Sequence, residues 1–105
     1  ARSKRNIFPV LDSRNHFQGF VSLEDIRRDM FTVELYDTQH VYNYMKSAPA
    51  YVYVDEKMDS VMIKFEQTDA WNLPVVESDR TYVGFVSKSK IFSAYRDQLK
   101  QVSHD

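Results

Sequence analysis

Gly19 and Gly84, the only two glycines, anchor an ungapped internal match at an offset of 65 residues. That match constrains the fold more than any other feature of the chain. Phe8-Pro-Val-Leu-Asp-Ser-Arg-Asn-His-Phe-Gln-Gly-Phe-Val-Ser-Leu-Glu-Asp-Ile26 lies over Leu73-Pro-Val-Val-Glu-Ser-Asp-Arg-Thr-Tyr-Val-Gly-Phe-Val-Ser-Lys-Ser-Lys-Ile91, with eight of nineteen positions identical. Four of the other eleven pairs are conservative, among them Asp12 with Glu77 and Phe17 with Tyr82. A repeat of this density means one supersecondary unit built twice.

Each copy reads as a hairpin followed by a helix. Pro9-Val-Leu and Pro74-Val-Val open short apolar strands, with proline where a missing N–H is tolerated. Polar turns follow, then second strands from Phe17 to Val21 and from Tyr82 to Val86. The glycine inside each second strand predicts close approach of another backbone or a ligand. Ser22 and Ser87 stand where a helix N-cap belongs. Leu23, Ile26 and Met30, and then Ile91, Tyr95 and Leu99, recur at helical spacing.

Upstream of the second hairpin, Ala50-Tyr-Val-Tyr-Val54 predicts a strand. Met58, Val61, Met62 and Phe65 fall at i, i+3, i+4 and i+7, one face of a helix. The complete unit is therefore strand–helix–strand–strand–helix, an α+β fold of small sheets packed on helices. Residues 1–31 are the C-terminal part of a first repeat truncated at its N-terminus, and 32–49 a linker with a short helix around Val41–Met45. Residues 50–100 are the second repeat and 101–105 a tail.

The 105 residues allow one ordinary domain, or two very small units sharing a core. The chain has no cysteine and no apolar run near the ~20 residues of a membrane span. The basic start from Arg2 to Arg5 has no apolar stretch behind it, so it is not a signal peptide, and it is too short for nucleic acid. Fourteen basic residues against fifteen acidic ones also argue against a nucleic-acid partner. His16, His40 and His104 have no metal-ligand spacing, and no Gly-rich phosphate loop or nucleophile elbow is present. Nothing points to an enzyme, a catalytic residue, a metal or a cofactor.

The tandem unit, with its hydrophobic-Pro-Val-hydrophobic strand and Gly-Phe-Val-Ser-x-x-Asp run, resembles a pair of CBS domains. More narrowly, Lys64–Val76 and Gly84–Phe92 are similar to the cytoplasmic tails of bacterial ClC-type chloride channels. The resemblance implies regulation: an adenine nucleotide (ATP, ADP or AMP) bound between the repeats biases an attached transport domain at the cytoplasmic face of the membrane. It also implies a homodimer, with helices Ser60–Glu66 and Lys88–Lys100 as contact faces. Its sugar-and-phosphate motif falls on Ser22 and Asp25. In the second copy it falls on Ser87 and on Lys90, a departure, because lysine cannot accept a hydrogen bond from ribose but pairs with a phosphate. The adenine side falls on Arg5, Asn6 and Phe8, and on Trp71, Asn72 and Leu73, with Trp71 and Asn72 closing a pocket over Asp25.

Each residue also has a plainer role. Ser22-x-x-Asp25 is an ordinary capping box, and Trp71 is an indole packed between repeats. Lys90 is a solvated first-turn residue, and Tyr42, Tyr44, Tyr51 and Tyr53 line the core and a dimer face. A ligand-free dimerisation tail, or a regulatory module on an enzyme or divalent-cation transporter, fits the same pattern.

Overall fold

The repeat is visible in backbone hydrogen bonds. In the computed structural model, which describes residues 6–30 and 41–103, strands β1 (Ile7–Leu11) and β2 (Phe17–Ser22) form an antiparallel hairpin. Strands β4 (Asn72–Val76) and β5 (Tyr82–Ser87) repeat it, down to a register shift at Val10/Leu11 and again at Val75/Val76. Each turn closes through the same pair of bonds. The Asn15 N–H donates to the Asp12 carbonyl at 3.0 Å, and the Arg80 N–H to that of Glu77 at 2.8 Å. Asn15 (φ 68°) and Arg80 (φ 78°) take the left-handed conformation at equivalent positions. Asp12 supports its turn by accepting the Arg14 and His16 N–H groups, both at 2.9 Å.

A helix follows each hairpin: α1 (Leu23–Met30) and the longer α4 (Lys88–Ser103). Both starts are pinned alike, Leu23 N–H to the Asn6 carbonyl at 2.8 Å and Lys88 N–H to that of Trp71 at 2.9 Å. Between the copies lie α2 (Val41–Tyr44), β3 (Val52–Tyr53) and α3 (Met58–Thr68).

The chain divides between Ala48 and Pro49 into two units, each with its own packing. In the C-terminal unit β3 pairs parallel with β4, giving the sheet order β3–β4–β5 with α3 as the crossover. Val52, Val61, Phe65 and Leu73 form its buried core, flanked by Val75, Val86, Ile91 and Phe92. In the N-terminal unit Phe17 and Val21 are buried on one face of β2. Lys46 extends the edge of that hairpin by bonding both ways with Phe20, at 2.8 and 2.9 Å. Residues 41–48, read from sequence as linker, thus pack within the N-terminal unit.

Three expectations need correction. The strand expected over 50–54 is confined to Val52–Tyr53, because the chain turns at Val54–Asp55, closed by a 2.9 Å bond from the Glu56 N–H to the Tyr53 carbonyl. Leu99 is half exposed, since α4 reaches the core through Ile91 and Phe92 in its early turns. Tyr51 and Tyr53 are half-buried outside the core, with the Arg80 guanidinium 4.4 Å and the Lys64 ammonium 5.1 Å from their ring centroids. Arg2 to Arg5, residues 32–40, His40 and His104, and the side chains of Met30 and Tyr42, lie outside the described residues.

Glu56 ties α3 to the loop after β3. Its carboxylate accepts the Ser60 hydroxyl, the Lys64 ammonium at 2.9 Å and the Tyr53 N–H at 3.1 Å, and the same ammonium reaches the Tyr51 carbonyl at 2.6 Å. Burial pushes the Glu56 pKa up, but these donors outweigh it and hold the carboxyl below its ordinary 4.5. A depressed folded-state pKa contributes stability that is present above 4.5 and lost as pH falls through the lower folded value. Acid titration of stability from about pH 5 to 3 is therefore expected to be steeper for the native chain than for Glu56→Gln.

Candidate functional site

The starts of α1 and α4 carry the residues that sequence spacing singles out, and the two starts differ in charge. In the C-terminal unit, Ser87 ends β5 and caps α4, its Oγ accepting the Lys90 N–H at 3.2 Å. The first turn of α4 holds Lys88 and Lys90 and no acidic residue. Cations there oppose the helix dipole, so this turn favours an anion. Beside it lies a pocket of about 240 Å³ lined by Asn72, Phe85, Val86, Ser87, Lys90 and Ile91. The polar groups come from the end of β5, the start of β4 and the first turn of α4, with apolar Phe85, Val86 and Ile91 among them.

The fold thus brings Asn72, Ser87 and Lys90 to one concavity. Trp71, just before β4, and Leu73, on it, flank Asn72 in sequence and are not among the residues lining this pocket. Leu73 is fully buried in the core and has no surface to offer a ligand. Trp71 is half exposed, with the Lys88 ammonium 5.7 Å from its ring centroid.

At the start of α1 the sign of charge reverses. Ser22 Oγ accepts the Glu24 N–H at 3.2 Å, an N-cap bond to the second helical residue rather than the third-residue bond of the expected capping box. Asp25 does not complete the box either. Its carboxylate pairs instead with Lys46 Nζ at 3.0 Å and Arg28 Nη2 at 3.2 Å. The Lys46 ammonium above all, and then Arg28, hold the Asp25 carboxyl below the usual carboxylate range. Phe8 lies half exposed on β1 and Asn6 gives its carbonyl to Leu23, while Arg5 falls outside the described residues.

Lys46 is the member of this site that sequence reading missed. It lies 21 residues from Asp25 (46 − 25) with no helical or hairpin spacing to connect them, and only its pairing with Phe20 brings it there. Among the described residues no group of three His, Asp or Glu side chains is placed to hold a metal ion. Among them, too, no helix is long and apolar enough to cross a membrane.

Comparison with known proteins adds a family and a set of folds. The CBS domain family model matches residues 41–97, more than half of the chain. Comparison with curated proteins gives no match. Among solved structures, OpuCA of Staphylococcus aureus superposes with a TM-score of 0.70 at 26% identity, over 92% of this chain and 79% of that one. The soluble part of a magnesium transporter gives 0.69 at 22% identity, over 89% of this chain and 34% of its own. CBSX2 in complex with AMP gives 0.67 at 23% identity, over 90% of this chain and 73% of its own. At such identities the last two speak for a shared fold.

Proposed function

The chain belongs to the CBS domain family and is an α+β CBS pair; from that premise we propose that it is the regulatory module of a membrane transport protein, sensing an adenine nucleotide. The parent we propose is a ClC-type chloride channel or chloride/proton exchanger, with this module on the cytoplasmic face of the membrane. The module has no chemistry of its own in this reading. Nucleotide binding favours one arrangement of the module and so biases the transport domain.

The pocket at the start of α4 carries the reading. Lys90 offers an ammonium to a phosphate, and the Ser87 hydroxyl and the Asn72 amide add hydrogen-bonding groups beside it. Phe85, Val86 and Ile91 supply apolar contact. At about 240 Å³ the pocket suits a phosphate and sugar rather than a whole nucleotide. An anion there also offsets the unfavourable placement of two lysines in the first turn of α4. The likeness to CBSX2 in complex with AMP supports the ligand class. Similarity of Lys64–Val76 and Gly84–Phe92 to ClC tails supports the parent, and exposed Ile63 and Leu99 on α3 and α4 support a homodimer joined through those helices.

Chloride efflux from vesicles holding the full-length protein tests this directly. AMP or ATP is expected to change the flux, and Lys90→Ala to shift the midpoint of that response about tenfold upward. Flux indifferent to nucleotide at millimolar concentration overturns the sensing reading. The likeness to the magnesium transporter's soluble part favours a second parent, a divalent-cation transporter. Magnesium flux in the same vesicles, without chloride flux, decides for it.

A further inference from the structure

The inward face of β2 takes a side chain from outside its hairpin. Phe17, Gly19 and Val21 alternate along β2 as its buried positions. Met45 lies on the glycine between the other two. A Cβ at Gly19 would come within 2.6 Å of Met45 Cγ and 3.0 Å of its Sδ. The thioether therefore fills the place that a side chain of the strand would take. At the equivalent Gly84 a Cβ meets nothing within 4 Å among the described residues, so the contact belongs to the first copy and not to the repeat.

Met45 also stands next to the bonds that hold its own segment. The Lys46 N–H donates to the Phe20 carbonyl at 2.8 Å, and the Lys46 carbonyl accepts the Phe20 N–H at 2.9 Å. Lys46 Nζ reaches Asp25 at 3.0 Å. All of these contacts pass through two consecutive residues, 45 and 46. Met45 is half-buried, so its side chain has one side on the strand and another toward solvent. A thioether suits this place because it is apolar and adapts its shape. A sulfoxide does not, because it adds an oxygen and a dipole at the atom packed on glycine. A polar group pressed onto apolar surface without a hydrogen-bond partner is unfavourable.

We propose that Met45 is a site of reversible oxidation by peroxide, and that its sulfoxide releases residues 45 and 46 from β2. The sulfur gives up an electron pair and gains one oxygen atom. The O–O bond of hydrogen peroxide breaks, and the second oxygen leaves as water. With Met45 lifted off Gly19, the paired bonds between Lys46 and Phe20 open and the Lys46 ammonium leaves Asp25. Reduction of the sulfoxide restores the contact. None of these steps requires a bound nucleotide.

NMR-detected amide hydrogen exchange of the whole chain, before and after hydrogen peroxide, tests this, with mass-spectrometric peptide mapping to locate the sulfoxide. Met58 and Met62, half-buried on α3, serve as internal references. Met45 is expected to be oxidised and protection of the Phe20 and Lys46 amides to fall about tenfold, with recovery after treatment by methionine sulfoxide reductase. Met45→Leu keeps the volume without the sulfur. Once thermal melts show it folded, it is expected to retain that protection in peroxide even where Met58 and Met62 are oxidised. Oxidised Met45 with unchanged protection at Phe20 and Lys46 overturns the inference. So does a Met45 that stays reduced while Met58 and Met62 oxidise. Equal loss of protection in peroxide-treated Met45→Leu overturns it as well, by assigning the effect to another methionine.

Discussion

Phe65→Ala is expected to remove about 3–5 kcal/mol of stability, the largest loss of any single truncation in the C-terminal unit. Phe65 is fully buried and packs with Val52, Val61 and Leu73, which come from β3, α3 and β4. With Val61, it joins the crossover helix to the sheet. Its loss removes apolar burial and leaves a cavity that three elements must collapse to fill. Against a typical total of about 5–15 kcal/mol for a domain, this leaves little. Urea denaturation followed by far-UV circular dichroism reads the effect. A cost below about 1 kcal/mol would mean that Phe65 is not a core residue. Ile63, two residues away on the same helix, is half exposed, and Ile63→Ala is expected to cost much less.

The second large effect separates the two glycines. Gly19→Val is expected to destabilise the N-terminal unit by about 1–3 kcal/mol, whereas Gly84→Val is expected to change stability by less than about 0.5 kcal/mol. Neither glycine has a positive φ, so backbone strain is not the reason. The difference is space. A Cβ at Gly19 would lie 2.6 Å from Met45 Cγ and 2.7 Å from the Lys46 carbonyl oxygen, and that oxygen is held by its bond to Phe20. The same atom at Gly84 meets nothing within 4 Å among the described residues. Val also suits a strand better than Gly, which limits any cost at position 84. Equal destabilisation at the two sites would contradict this packing.

The glycine pair shows how far the repeat carries. From the match alone, both hairpins, both helix starts and the equivalence of Asn15 with Arg80 are legible, because they depend on local spacing and on turn and cap chemistry. The reading that glycine admits another backbone holds at Gly19 and finds no described neighbour at Gly84. What covers each copy differs, and that is a tertiary property outside the repeat itself. Lys46 is hidden for the same reason, since two bonds to Phe20 bring it to Asp25 and no sequence period connects them. The capping-box spacing of Ser22 and Asp25 is real, but two nearby cations draw the carboxylate away from the helix end. Leu73 falls beside Asn72 in sequence, but it lies on the central strand β4, where it and Pro74 are both fully buried.

The charge contrast between the helix starts was only half legible. Lys90 in place of Asp is plain from the alignment of the copies. Its consequence, a cationic first turn beside a pocket that also takes in Asn72 and Ser87, depends on β4 lying next to β5. The Glu56–Ser60–Lys64 cluster is partly a helical spacing, but Glu56 precedes α3, so its bonds depend on the turn that ends β3. Local rules carry the elements, and pairing between distant segments decides which side chains meet.

The most direct test of nucleotide sensing is an amide NMR titration of the whole chain with AMP. Saturable shifts are expected at Asn72, Ser87, Lys90 and Ile91, and at Ser22, Asp25 and Lys46, with the exposed faces of α3 and α4 quiet. No shifts at millimolar AMP, or shifts confined to α3 and the far end of α4, would contradict nucleotide binding at the helix starts.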